Sequence, residues 1–256
     1  KTKLVILIQP PIAIESLWSL TNEQFLPVCK KLFQWQLQHN PVYKEWVTLM
    51  VKDEEMPEEM NKIPFLPISF FKTHDVFVGD QPNTLFESSG TTQDVVSKHW
   101  VSNTAIYEQS FLQCFQLFYG APTDYCVIGL LPSYLERKHS SLVYMVNELI
   151  KQSNHPDSGF YLDDFASLDK LLKKLELQNQ KVWLMGVSFA LIDFSAAFPQ
   201  QLNNTIVIET GGMKGRKQEL TKTELHHLLA TQLGVQKINS EYGMTELLSQ
   251  AYSHGD

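Results

Sequence analysis

Apolar residues along the chain are spaced for helices in its first part and for alternating strands and helices in its second. Phe25, Val28, Cys29, Leu32 and Phe33 recur at helical intervals, which gives that stretch one apolar side. Thr21-Asn22-Glu23-Gln24 offers an N-cap ahead of it, and Pro41 after Gln38-His39-Asn40 stops it. Ile63-Pro64-Phe65-Leu66-Pro67-Ile68 is apolar, but its two prolines remove donors that a central strand needs. It reads as an extended, packed connector. From Tyr125 onward the pattern changes. Tyr125–Leu131 is an apolar run of strand length, and helices are expected over Ser140–Ile150 and Ser167–Leu177. Strands are expected over Lys181–Met185, Thr205–Glu209 and Val235–Ser240, and a helix over Thr221–Leu233 that Gly234 caps. Apolar strands alternating with helices indicate an α/β fold, a sheet flanked by helices with a helical N-terminal part. The expected division is 1–84, mainly helical, and 85–256, an α/β core. No repeat or low-complexity stretch interrupts this plan.

Composition narrows the possibilities. The chain has 256 residues, 43% hydrophobic and 19% charged, which suits a packed core and excludes a disordered chain. Lys+Arg 21 against Asp+Glu 28 leaves a net charge of −7, and no basic cluster stands out. That balance argues against binding nucleic acid through its phosphates. Leu4-Val5-Ile6-Leu7-Ile8 is too short to span a membrane. Lys1 and Lys3 before it imitate a signal peptide, but the run stops at Gln9-Pro10-Pro11 and no cleavage site follows. Three cysteines, Cys29, Cys114 and Cys126, cannot all pair, and none lies in a CxxC motif. A reduced, cytoplasmic setting with buried small side chains is the expectation. Asn203-Asn204-Thr205 matches a glycosylation sequon that has no meaning there. The chain begins without Met and ends at His254-Gly255-Asp256, so it reads as a piece of a longer protein.

Open α/β sheets bind ligands in loops at the carboxyl ends of their strands, and three loops have suitable chemistry. Phe86-Glu87-Ser88-Ser89-Gly90-Thr91-Thr92 sets four hydroxyl residues around one glycine. Hydroxyls and backbone N–H groups there make a cradle for phosphate, with Lys98 and His99 close in sequence. It is not a Walker A loop, because no Gly-Lys-Ser/Thr follows, and the same residues also make a plain turn. Glu209-Thr210-Gly211-Gly212-Met213-Lys214-Gly215-Arg216-Lys217 follows a strand and joins three glycines to three cations. It suits a flat ligand with an anionic part, or a solvated connector. Glu241-Tyr242-Gly243-Met244-Thr245-Glu246 offers an aromatic face for a base and a carboxylate for Mg²⁺. It also suits a core tyrosine and a helix-start glutamate.

Taken together and in this order, the three loops resemble the adenylate-forming acyl ligase superfamily. Its phosphate loop reads Ser/Thr-Ser-Gly-Thr-Thr-Gly and its later signature Tyr-Gly-x-Thr-Glu. The chain is most similar to the acyl-protein synthetase branch, the LuxE-type ligases of bacterial fatty-acid reductase systems. That likeness also rests on Asn40-Pro41-Val42-Tyr43, Ile63 to Ile68, Phe71-Lys72, Leu131 to Arg137 and Gly211 to Gly215, and it extends from about Leu20 onward. The resemblance implies an adenylate-forming α/β domain whose 85–256 part binds the nucleotide. Its C-terminal lid, with the ribose-binding Asp and the lysine of the adenylation step, is expected to lie beyond Asp256. It implies ATP phosphate binding by Ser88, Ser89, Gly90, Thr91, Thr92 and Lys98, and adenine binding by Gly211, Gly212, Met213, Tyr242, Gly243 and Met244. Thr91, Thr245 and Glu246 would be catalytic, with Glu246 a Mg²⁺ ligand, and Gly186 and Val187 would line the acyl pocket. The implied activity is ATP- and Mg²⁺-dependent activation of a carboxylic acid, a fatty acid in this branch, as its acyl-adenylate. The acyl group then passes to a thiol on an acceptor protein, with a reductase partner, or on CoA. In this branch the acceptor is a cysteine late in the enzyme's own chain, and none of Cys29, Cys114 or Cys126 stands in such a place. Where the superfamily has Gly after the second Thr, this chain has Gln93, so a nucleotide-binding relative without ligase activity is the main alternative.

Two other chemistries are weaker. Gly186-Val187-Ser188-Phe189-Ala190 approaches the Gly-x-Ser-x-Gly elbow of serine hydrolases, with Asp193 and His226, His227 or His254 as partners. Ala190 breaks the motif, no helix clearly starts after the serine, and Asp193 is too close in sequence. His226-His227 shows no metal-ligand spacing and reads as helix surface.

Overall fold

The computed structural model describes residues 9–51, 56–79, 82–89, 95–131, 137–162, 164–211 and 220–253. The chain forms two compact units, Lys1–Ile106 and Tyr107–Asp256.

In the first unit, helix α1 (Asn22–His39) begins at the expected cap. There the Thr21 backbone N–H donates to Gln24 Oε1 at 3.0 Å, half of a capping box. Pro41 opens a second helix, α2 (Pro41–Met50), in which it loses no hydrogen bond, and Asn40 Oδ1 accepts from the Tyr43 N–H at 3.1 Å. The two helices close on Phe33, Tyr43, Val47 and Ile63. The apolar stripe expected on α1 is only partly used, since Phe33 is its one buried residue and Phe25 is 50% exposed. The segment from Ile63 to Ile68 contains no strand, as its prolines require. After the short helix α3 (Phe70–Thr73), strands β1 (Thr84–Glu87) and β2 (Lys98–Val101) pair antiparallel, with Glu87 opposite Lys98.

Helix α4 (Ala105–Tyr119) leads into the second unit. There follow β3 (Cys126–Leu130), α5 (Ser141–Ser153), β4 (Gly159–Phe160), α6 (Phe165–Leu177), β5 (Val182–Val187) and α7 (Ser188–Ala197). The chain continues through β6 (Thr205–Thr210), α8 (Lys222–Leu233), β7 (Ile238–Gly243) and β8 (Gln250–Ser253). The sheet order is β4-β3-β5-β6-β7-β8, parallel except for β8. The expected α/β class is therefore observed, as a mostly parallel sheet with helices. Strand β3 is buried at every position, as a parallel strand covered on both faces must be.

Alternation along the strands separates two cores. Val182, Leu184, Val207 and Ile238 pack with Leu168, Leu172, Leu191, Leu225 and Leu229 of α6, α7 and α8. On the other face Trp183 meets Phe115 at 5.4 Å between ring centroids, and Tyr119 meets Tyr252 at 5.1 Å. One expectation is corrected here. A helix does start after the glycine-containing turn, at Ser188 itself.

Candidate functional site

Strands β5, β6 and β7 end side by side, and polar residues replace apolar ones where they end. Register pairs Gly186 with Glu209, Glu209 with Ser240, and Thr210 with Glu241. Neighbours along a strand point to opposite faces, so the polar residues form two separate groups.

On the α7/α8 face Glu209 is buried at 9% exposure. Ser240 Oγ donates to its Oε1 at 2.6 Å, and Ser188 Oγ lies 3.1 Å from its Oε2. His226 Nε2 lies 3.3 Å from Ser240 Oγ and 3.6 Å from Glu209 Oε1. A hydroxyl has one proton, and that of Ser240 goes to the carboxylate, so the imidazole Nε2–H donates to Ser240. Ser188 also donates to the backbone carbonyl of Gly211, the first residue past β6. His226 is thus a buried member of this network rather than helix surface, while its neighbour His227 is exposed.

This arrangement speaks against Ser188 as a nucleophile. It is 2% exposed, and its proton goes to the Gly211 carbonyl rather than to an imidazole. His226 turns to Ser240. The strained positive φ of a nucleophile elbow is also missing, since Asn154 and Asn179 are the non-glycine residues with positive φ among those described.

On the α4/α5 face Glu241 is buried, with its Oε2 accepting from Thr210 Oγ1 and its Oε1 from Gln250 Nε2 at 2.9 Å. Burial pushes its carboxyl above the usual range, the two hydrogen bonds oppose that, and the charge of Glu209 adds to it. Glu241 in turn helps burial to raise Cys114 and the tyrosines Tyr107 and Tyr252. Gly243 is fixed by this packing. A Cβ there would stand 2.5 Å from Gln250 Nε2 and 2.8 Å from Glu241 Oε1.

The sequence-derived candidates fall on both units. In the second, Gly211 leaves β6 at φ +75°, a backbone conformation that glycine adopts without strain. Tyr242 is 64% exposed on β7, so it is not a core tyrosine, and its ring is open to a ligand. Met244, Thr245 and Glu246 form the partly buried turn into β8, and no helix begins there. Gly186 and Val187 end β5 opposite Glu209 and Thr210 of β6. In the first unit Ser88 closes the β1–β2 hairpin, its Oγ accepting from the Ser97 N–H at 2.9 Å. Lys98 lines a cavity of about 530 Å³ with Phe71, Lys72, His74, Asp75 and Val96. Gly90, Thr91, Thr92, Gln93, Gly212, Met213, Lys214, Gly215, Arg216, Lys217 and His254 lie outside the described residues, as do 132–136.

Glu209, Thr210, Ser240 and Glu241 were not singled out as site residues from sequence. The signal was present, since polar residues inside strands covered on both faces need partners. Among the described residues no three His, Cys, Asp or Glu side chains stand together as a metal site. A lone carboxylate such as Glu246 suits Mg²⁺, which keeps most of its other ligands as water or substrate phosphate. All three thiols are free, and burial raises each of them, Cys126 to about 11. Each is held in the protonated, poorly nucleophilic form at neutral pH. No helix among the described residues is long and apolar enough to cross a membrane. Comparisons with protein-family models, with curated proteins and with solved structures find no match.

Proposed function

We propose that the chain activates a carboxylic acid, a fatty acid by its resemblance to the LuxE-type branch, as an acyl-adenylate. ATP is consumed with Mg²⁺, and the acyl group then passes to a thiol on an acceptor protein or CoA. One observation carries the reading. The two loops with adenine-binding character, at Gly211 and at Tyr242–Glu246, leave neighbouring parallel strands at the same carboxyl edge, where sheets of this class bind ligands. The order of the three sequence motifs adds to it.

A carboxylate oxygen of the acid attacks the α-phosphorus of ATP, and pyrophosphate leaves. A thiolate then attacks the acyl carbonyl, and AMP leaves. Such a reaction needs mainly positioning and neutralisation of phosphate charge. In this reading Tyr242 stacks on adenine while the backbone at Gly211 lies against it. Ser88, Ser89, Gly90, Thr91, Thr92 and Lys98 hold the β- and γ-phosphates, and Thr245 contacts phosphate. Glu246 holds Mg²⁺, which supplies positive charge to the phosphates.

The test is ATP–pyrophosphate exchange over a panel of acids from acetate to myristate plus aromatic acids. Exchange that depends on one acid class supports adenylation and identifies the substrate. ATP binding without exchange under every acid overturns the ligase reading in favour of a nucleotide-binding module, the outcome that Gln93 would explain.

A further inference from the structure

The network around Glu209 is more extensive than burying one carboxylate requires, and it reaches the ligand edge. Ser188 is the first residue of α7, Glu209 lies on β6, Ser240 on β7 and His226 on α8. Glu209, Ser240 and His226 thus join β6, β7 and α8, and Ser188 sets the start of α7 3.1 Å from the same carboxylate. The Ser188 proton goes to a backbone atom, the carbonyl of Gly211. That residue occupies a positive φ and has no side chain to hold it. The ladder between β6 and its neighbours ends at Thr210, which pairs with Val187 and with Glu241. Past that pair, among the described residues, the Ser188 hydroxyl is a side-chain contact on the Gly211 backbone.

We propose that Ser188, whose one hydroxyl proton goes to the Gly211 carbonyl and which starts α7 beside the Glu209–Ser240–His226 group, is a positioning residue that sets the Gly211 backbone for the adenine of ATP. The inference rests on the proposed adenylation. The assigned role is indirect, since Ser188 is buried and acts through the Gly211 carbonyl. It also explains why a serine at the strand-to-helix turn is surrounded by acceptors. The hydroxyl serves as a donor, and its proton is committed to the Gly211 carbonyl. The arrangement is economical in conformational terms, because a preorganised backbone need not be ordered when ligand arrives.

The test uses the full chain with Ser188→Ala and Ser188→Thr, read by amide hydrogen exchange at Thr210 and Gly211 and by steady-state kinetics. For Ser188→Ala we expect exchange at those amides to accelerate about tenfold or more and the KM for ATP to rise about tenfold. The kcat at saturating ATP should change less than threefold, and the KM for the acid should stay put. Ser188→Thr, which restores the hydroxyl, should return both readouts toward wild type. Should the alanine variant fail to fold, Ser188→Cys keeps the volume, weakens the donor and should show the same split. Unchanged exchange at Thr210 and Gly211 overturns the tether. Faster exchange with an unchanged KM for ATP overturns the positioning role and leaves a structural hydrogen bond. If wild-type protein neither binds ATP nor exchanges pyrophosphate, the adenylation reading fails and the positioning role fails with it. The amide-exchange result still tells whether the tether exists.

Discussion

Glu241 is a carboxylate buried against aromatic rings, and its position has a consequence for pH. An exposed glutamate titrates near 4.5, and burial raises the folded-state value above that. The groups that act on it are Glu209 across the sheet, Tyr107, Cys114, Tyr119 and Tyr252 around it, and the donors Thr210 and Gln250. Because the folded-state value is raised, the native state binds the proton more tightly than the unfolded chain. The associated stability is present below the unfolded value and is lost as pH rises through the folded value. Glu241→Gln keeps the shape and an acceptor for Thr210 without the charge. Its melting temperature should therefore gain on wild type as pH rises from about 4.5. Between the two pKa values the difference approaches about 1.4 kcal/mol per pH unit. Melting curves from pH 4 to 8 check this, and parallel profiles for the two proteins would refute it.

At the scale of elements, local chemistry decides how much is legible beforehand. Helix α8 carries its own start and stop. Thr221 accepts from the Glu224 N–H at 3.2 Å, Glu224 Oε2 accepts from the Thr221 N–H at 2.8 Å, and Gly234 ends the helix at φ +64°. Gly234→Ala should cost about 1–2 kcal/mol, the strain of a left-handed alanine. It would also push on Gln201, whose amide donates to the Gly234 carbonyl at 2.7 Å. Chemical denaturation reads that loss, and a variant as stable as wild type would contradict it. Strands β3, β5 and β6 were equally plain, as apolar runs of strand length. Helix α7 was hidden because Ser-Phe-Ala-Leu-Ile-Asp-Phe-Ser-Ala-Ala is apolar nearly all round, so no periodicity marks it. The β1–β2 hairpin was hidden because each strand has four residues, and β8 because it owes its place to pairing with β7. The loops of the candidate site were visible as motifs. Their anchors showed only as polar residues inside strands, because Glu209, Thr210, Ser240 and Glu241 acquire their partners when strands distant in sequence are set in register.

For the molecule as a whole, the proposed chemistry makes different demands on different loops, and single substitutions can separate them. The hydroxyl-rich loop at 88–92 is assigned to the β- and γ-phosphates, and Gly211 and Tyr242 are assigned to adenine. AMP carries the adenine but lacks both terminal phosphates. Thr91→Ala should therefore slow adenylation by a factor of roughly 10²–10³, the usual loss of about 2.7–4 kcal/mol for one well-placed donor. It should leave the affinity for AMP within twofold of wild type. Tyr242→Ala removes a stacking surface worth about 1–3 kcal/mol per base. It should weaken ATP and AMP alike, by about fivefold to 150-fold. The Tyr242 ring is 64% exposed, so its removal should change stability by less than about 0.5 kcal/mol. A weakened affinity then reports the missing ring in a protein that is still folded. Titration calorimetry with each nucleotide, beside pyrophosphate exchange, distinguishes the two patterns. An unchanged adenylation rate in Thr91→Ala would remove the phosphate-loop assignment. An AMP affinity untouched by Tyr242→Ala would remove adenine from the β7 edge.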